Sequence, residues 1–406
     1  MKQSIYSFLF CVNFPPLFVT KWHQGKTMKL NKLYFAITLT TLPLTTMAAG
    51  LDRSGQSISA FLQPGNYAEA GISVLDPTVK GKDNSGNKVS DMGDDYYFPT
   101  AAIKVQATDH ISLGLLYDQP YGADAQYAVD GSDFSSAKLN EGTKVKVRTN
   151  NLTALIGYQP NDNWNFYAGP VWQTVEADIA LRGKAYSNLN YNIKVDQKEA
   201  YGWAAGFAYS KPEIALKAAV TYRSEIKHKA KSHEGGTVTY GPLLIPLPET
   251  DSTVNATTPQ SVNIDLQTGV SQNTLAFANL RWVHWDQFTV SPKYLASKGQ
   301  DLISYSDDQY SATVGLSHKF NNKWAGTAAV GYDSGAGNPV TTLGPTEGYW
   351  SVGLGGQYSP AENYFIQAGV KYFWLGDADA QTGGVVKGSF ENNHAIGYGL
   401  KIGYRF

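Results

Sequence analysis

A two-residue rhythm recurs along nearly the whole chain, and no long apolar run interrupts it. Tyr201, Trp203, Ala205, Phe207 and Tyr209 alternate with Gly202, Ala204, Gly206, Ala208 and Ser210. The last twelve residues do the same: Ile396, Tyr398, Leu400, Ile402, Tyr404 and Phe406 alternate with Ala395, Gly397, Gly399, Lys401, Gly403 and Arg405. Successive side chains of a strand point to opposite faces, so each run has one large apolar face and one small or cationic face. Charged residues are only 17 % of the chain, below the roughly 25 % of a soluble domain, while aromatics reach 13 %. That balance suits a strand with lipid on one side and water on the other. Past residue 48 no stretch reaches the roughly 18 apolar residues of a spanning helix. Unpaired backbone groups cost several kcal/mol each in hydrocarbon, so a chain that spans without helices needs a closed sheet. The expected fold is all-β: a transmembrane antiparallel barrel. A secreted β-sandwich is the competing reading, and it gives no reason for aromatic residues beside each short turn.

Further runs of the same kind are Ile214–Arg223, Tyr310–Ser317, Trp324–Asp333, Trp350–Tyr358 and Tyr364–Trp374. Short turns such as "QPNDNW" (159–164), "SKPE" (210–213), "FNNKW" (320–324) and "SPAENY" (359–364) join several of them. Long polar excursions are expected near 128–142, 182–197, 231–260, 294–306, 334–347 and 376–392. Short turns on one side and long loops on the other are an outer-membrane pattern. About 14 strands follow from Asn66 onward, or about 26 residues per strand and connection, where about 9–11 suffice to span. Trp164, Trp324, Tyr358 and Tyr364 read as an interfacial girdle. Two runs resist assignment. From Thr143 the apolar parity flips near Asn150 and Asn151, which a β-bulge would explain. Leu275–Trp285 has aromatics on both faces.

The N-terminus reads as a secretory signal. Met28 to Lys32 is basic, Leu33 to Leu44 is apolar, and Thr46-Met47-Ala48 fits a cleavage site. Residues 1–48 are assigned to this signal, with 1–27 read as an over-extended start or a long basic region. The single cysteine, Cys11, falls there, which leaves no thiol chemistry or Cys–metal site beyond it. So do five of the 33 basic residues, leaving 28 against 34 acids, a balance of −6. Nucleic-acid binding would need the opposite sign. Residues 49–64 are left as a short plug and 65–406 as the barrel.

Several stretches resemble the long-chain fatty-acid transporter family of outer-membrane proteins (FadL/TodX). They are "AGL" (49–51), "YDQPYGADAQY" (117–127), "TYRSEIKHKAKS" (221–232), "TYGPLLIPLPE" (239–249), "WDQF" (285–288) and "GYDSGAGNP" (331–339), in family order. The resemblance implies a 14-stranded barrel plugged by an N-terminal hatch. It implies capture of hydrophobic molecules outside and sideways release at a kink in the third strand. The family's Asn-Pro-Ala hatch motif is absent and the segment before Asn66 is short. A fully plugged lumen and release by hatch movement are therefore not implied as firmly.

Such a channel needs a capture surface, a pocket and an exit. Leu243, Leu244, Ile245 and Leu247 form an apolar loop stiffened by Pro242, Pro246 and Pro248; exposed apolar patches mark binding sites. The same loop would also serve as a lid. Proline and glycine in "DQPYG" (118–122) interrupt a strand. By resemblance, Pro120, Tyr121 and Gly122 frame the lateral opening; a plain bulge is the other reading. A carboxylate headgroup wants a cation. Parity puts Lys217, Arg223 and Glu225 in the lumen, with Asp333 also inward. Arg182 and Lys184 fall near a family ligand contact. For each cation, a lumen ion pair or surface charge competes with a ligand role. His228, His233, His284, His318 and His394 show no metal-ligand spacing, and His233 with Glu234 is read as loop surface. No catalytic group and no cofactor is expected.

The expected function is uptake of hydrophobic molecules across the outer membrane of a Gram-negative bacterium, with long-chain fatty acids as the leading substrate. Aromatic-hydrocarbon uptake, a general diffusion porin and an adhesive barrel remain open alternatives. Expected partners are the apolar ligand, outer-membrane lipid or lipopolysaccharide, and the assembly machinery through the C-terminal Phe406. A monomer is expected.

Overall fold

The computed structural model describes residues 51–406; the signal expected over 1–48 lies outside them. Fourteen antiparallel strands close into a barrel. They are β1 (Tyr67–Thr78), β2 (Tyr96–Gln106), β3 (Ile111–Asp118, resumed by Gly122–Gln126) and β4 (Lys144–Tyr158). Then come β5 (Trp164–Leu181), β6 (Leu189–Lys211), β7 (Leu216–Arg223, resumed by Ile226–Tyr240) and β8 (Thr250–Thr258, resumed by Ser261–Ser271). The last six are β9 (Thr274–Val283), β10 (Gln309–Lys319), β11 (Trp324–Asp333), β12 (Tyr349–Ala361), β13 (Tyr364–Leu375) and β14 (His394–Arg405). β1 pairs with β2 on one side and with β14 on the other, from Tyr67↔Arg405 to Thr78↔His394, which leaves no free edge.

Two aromatic belts bound the lipid-facing band. Near the short turns, Trp164 opposes Tyr209, Trp324 opposes Tyr358 and Tyr364 opposes Tyr404. Toward the long loops, Tyr332, Trp350 and Trp374 lie side by side across β11, β12 and β13, and Trp282 opposes Tyr310. Amphipathic rings settle at the two edges of a bilayer. β5 to β8 continue past the second belt. β6 alone is 23 residues, against the roughly 9–11 needed to span. Much of the chain expected to be loop at 182–197 and 231–260 is therefore strand. Outside the belt its outward residues turn charged, as with Lys227, Lys229, Lys231 and His233.

The interior is layered. The short-turn half is largely polar, with Lys104, Ser112, Asn263, Gln357, Gln367 and Lys401 all buried around a smaller apolar cluster at Phe61, Leu155 and Tyr167. The long-loop half is an apolar core that includes Val145, Val147, Ile179, Ile193, Val254, Trp285 and Phe373. This layering corrects the expected bulge near Asn150. The β4–β5 register is unbroken from Tyr158 to Lys144. Odd-numbered residues of β4 face inward throughout; the apolar set changes face because the interior itself changes from polar to apolar. It also orients the Leu275–Trp285 run, whose odd residues point in, from Leu275 below to Trp285 above.

Residues 51–66 run down the lumen and tie to its wall at every level. Asp52 pairs with Arg281 at 2.7 Å, both side chains fully enclosed. Asn263 donates to the Gly55 carbonyl at 2.8 Å. Phe61 is buried edge-on to Tyr167, and Gly114 and Gly157 leave room for its ring. Lys217 donates to the Leu62 carbonyl, and Lys104 to those of Gln63 and Gly65.

Candidate functional site

The kink in β3 opens the wall. Asp118 opposes Asn151 and Gly122 opposes Arg148, so the three residues Gln119–Tyr121 face only two. Pro120 has no N–H to place in a ladder. On the other side, β2–β3 pairing stops at Ala101↔Tyr117 and reappears only as a bridge between Gly93 and Ala125. The stretch of β2 between, Tyr96 to Thr100, keeps its partners in β1 alone. The kink turns its backbone inward. Arg53 N–H donates to the Pro120 carbonyl at 2.7 Å, Gly122 N–H to the Leu51 carbonyl at 2.8 Å, and Tyr121 N–H to Thr149 Oγ1 at 2.9 Å. Backbone groups at membrane depth are thereby satisfied by protein and not left to lipid.

Tyr96 closes this gap from within. Its ring lies under the guanidinium of Arg148 at 4.3 Å, with Arg53 at 5.7 Å. Its hydroxyl rests against Gly122, where a β-carbon would collide with it. Arg148 is held by Asp124, two residues past Gly122 on the resumed part of β3.

Several cavities border the N-terminal segment, and two of them are lined by residues of the 116–121 stretch. Toward the long loops is an apolar chamber of about 60 Å³, walled by Leu51, Tyr121, Val147, Val254, Trp285, Phe288 and neighbours, with no charged side chain among its lining residues. Tyr121 meets Trp285 edge-on there at 5.5 Å. Toward the short turns is a cavity of about 180 Å³. It reaches Thr100 and Ala101 of β2 and Leu116 to Asp118 of β3, the two lips of the wall gap. A third cavity, of about 380 Å³, opens among the loops between Tyr186, Tyr294, Leu295, Lys298 and Lys387.

Residues 51–406 match the family described as outer membrane protein transport protein (OMPP1/FadL/TodX). The chain belongs to this family. It is an outer-membrane β-barrel protein, and the family's members carry hydrophobic molecules. Among solved structures, a FadL homologue from Pseudomonas aeruginosa superposes with a TM-score of 0.69 at 18 % identity, over 90 % of this chain and 100 % of the other. The toluene transporter TodX of P. putida gives 0.61 at 15 %, over 86 % and 91 %. The toluene transporter TbuX of Ralstonia pickettii gives 0.61 at 12 %, over 93 % and 99 %. At these identities the likeness shows the fold. No curated protein matches the sequence significantly.

In this OMPP1/FadL/TodX chain the expected site residues separate. Pro120, Tyr121 and Gly122 sit together at the kink, between chamber and wall gap. Leu243 to Pro246 pairs with the end of β7 as a hairpin that stands free: Leu243 is 59 % exposed and Ile245 48 %. It does not fold down as a lid, and only Leu247 is half-buried. Arg182 is buried and spent on structure, donating to Glu141 at 2.7 Å, to Asn192 at 2.6 Å and to the Leu181 and Tyr191 carbonyls. Lys184 is exposed beside Asp133. Arg223 lines the lower cavity. Glu225 is not in the lumen: parity changes where β7 breaks after Arg223, and Glu225 lies outside, paired with Lys227 at 3.0 Å. Asp333 points inward as expected, receiving hydrogen bonds from Gln309 and Gly335. His233 and Glu234 lie on a strand, not a loop, and on opposite faces. His233 meets Asp251 and Asp196 outside, while Glu234 accepts from Tyr191 inside. Among the described residues His284, Asp286 and Asp308 do converge, but Asp308 already accepts from Trp282 and lies 2.9 Å from His284.

Nothing in the sequence marks Asp52, Arg281, Tyr96 or Arg148 as part of this site. Only Trp285, inside "WDQF", carried a signal. The others are ordinary charged or aromatic residues whose importance comes from what the closed barrel places opposite them.

Proposed function

We propose that this protein takes up hydrophobic molecules by a lateral route. A molecule gathers at the loop end, where the Leu243–Ile245 hairpin offers apolar surface, and enters the chamber above Leu51. It passes Tyr121 and leaves through the wall between β2 and β3. The observation that carries this reading is the wall gap itself, lying beside both cavities. A barrel used as a general porin has no need of one, and residues 51–66 cross the lumen that a porin keeps open. We take long-chain fatty acids as the substrate. Monoaromatic hydrocarbons are the second reading, favoured by the uncharged lining of the chamber, and TodX and TbuX are described as toluene transporters.

The test is uptake of radiolabelled oleate and toluene by cells that depend on this protein, compared with a variant in which the gap is sealed by a disulfide between β2 and β3. Loss of uptake that returns on reduction supports the lateral route. Uptake unchanged by sealing, or sugar permeation at porin-like rates in liposomes, overturns it.

A further inference from the structure

The lower cavity contains a buried guanidinium that the protein leaves short of hydrogen-bond acceptors, and a buried ammonium that has only aromatic faces beside it. Its charged lining consists of Glu69, Asp118, Arg223, Lys371 and Lys401. Glu69 and Lys401 pair at 3.3 Å, and Glu69 also accepts from Tyr67 at 2.6 Å. Asp118 accepts from Ser54 of the N-terminal segment at 2.5 Å and from Asn151 at 3.0 Å. Each acid thus has hydrogen-bond donors of its own, and Asp118 faces Arg223 as a countercharge without a direct ion pair. Arg223 is 5 % exposed, and its Nε and Nη1 have no hydrogen-bond partner. Lys371 is 6 % exposed; its ammonium lies over the rings of Phe373 and Tyr349 at 4.8 and 5.5 Å, and no carboxylate among the described residues pairs with it. Of the acids outside the lining, Asp265 accepts from Asn279 at 2.7 Å through one oxygen while its other oxygen has no hydrogen-bond partner, and Asp333, the acid that acts on Lys371, accepts from Gln309 and Gly335.

A buried guanidinium is costly unless its N–H groups are hydrogen-bonded. Its planar fork suits a carboxylate. The rest of the wall supplies apolar patches at Phe98, Ala102, Leu116 and Phe277. From that arrangement we infer that the lower cavity is a headgroup site for the carboxylate of an amphipathic acid. Arg223 is its principal contact and Lys371 its second. The site stands at the inner mouth of the wall gap, so an acid held there by its head has its tail directed between Thr100 and Tyr117. The head stays in the polar half of the lumen while the chain enters lipid first. This deepens the lateral route and rests on it. The uncharged chamber above would then serve the tail, and the headgroup would find its partner only on the exit side of the N-terminal segment.

The test compares two probes of equal chain length, 1-¹³C-dodecanoate and 1-dodecanol, binding to purified protein in nanodiscs. Arg223→Gln is expected to weaken dodecanoate at least tenfold and to leave dodecanol within twofold. Lys371→Gln should act in the same direction by a smaller factor, and Arg223→Lys should recover part of the loss. The ¹³C-carboxyl resonance of the bound acid should stay ionised to lower pH in the native protein than in Arg223→Gln. Folding of each variant is checked by heat-modifiable gel mobility, and Lys371→Gln decides if Arg223→Gln does not fold. Equal loss for acid and alcohol, or no loss for either, overturns the headgroup site. Native protein that binds dodecanol but not dodecanoate overturns it too while leaving the lateral route standing. Failure to bind either probe sinks both.

Discussion

Gly122 shows how much of this protein turns on single contacts. Its missing β-carbon is the space occupied by the Tyr96 hydroxyl, so the gap is closed by one ring set between two guanidinium groups. Gly122→Val has to displace that ring or strain the kink, and overpacking of this kind costs about 1–3 kcal/mol. The expected outcome is a barrel that still folds but has lost amide protection from Tyr96 to Thr100, with β10 to β12 unaffected, as read by hydrogen exchange. Protection unchanged at Tyr96 would show that the ring does not hold the gap. Glu347, in the loop between β11 and β12, sets a second local condition. Burial, with help from nearby Asp307, pushes its carboxyl up to about 7 from the usual 4.5. One oxygen accepts the Gly337 N–H at 3.0 Å and the other has no partner. A carboxyl raised on folding contributes its stability in full below pH 4.5 and loses it as the pH climbs through 7. Protection of 334–348 should therefore fall between pH 4.5 and 7, and Glu347→Gln should flatten that fall. A pH-independent native loop would remove the argument.

At the scale of the element, β3 decides the route. Its one extra residue against β4 turns Gln119 to Tyr121 inward and ends the ladder with β2. Deleting Gln119 and replacing Pro120 by alanine restores an equal count and a missing donor, so β2 and β3 can pair without a break. Hydrophobic uptake should then drop to background with the barrel intact, measured in the same cell assay. Continued uptake by that straightened strand would place the exit elsewhere. The sequence carried this kink, since proline and glycine inside an alternating run have few other uses. It carried the barrel as well, through the parity of β14 and the aromatic residues at each short turn. It misled where parity was read as a local property: Val145 and Val147 appeared to switch face because their surroundings switch, and Glu225 appeared internal because the break in β7 leaves no mark in the alternation. Arg182 and Arg223 are equally basic in the sequence. One meets Glu141, Asn192 and two carbonyls, the other lines a cavity with Asp118 as its countercharge and two of its nitrogens without an acceptor, and only the closed fold brings those surroundings together.

For the whole molecule, the wall and what it contains are held by different forces. The wall is a ring of backbone ladders that closes at β1 and β14 and depends on no single side chain. The N-terminal segment depends on a few: Phe61 at its lower end, backbone bonds to Pro120 and Gly122, and the enclosed pair of Asp52 with Arg281. Removing one member of such a pair leaves a buried charge, at a cost of about 3–5 kcal/mol. Arg281 keeps Asn263 and Gln56 as acceptors, and that tempers the loss without neutralising it. Asp52→Ala should therefore loosen the segment before it loosens the barrel. The expected signature is a split. Heat-modifiable mobility stays native, while liposomes carrying the variant swell in arabinose faster than those carrying the native protein. Asp52→Asn keeps an acceptor for Arg281 Nε and should fall between the two. If Asp52→Ala swells no faster than native, the segment is held by its packing, and the ion pair serves the kink through Arg53 and Tyr121 instead.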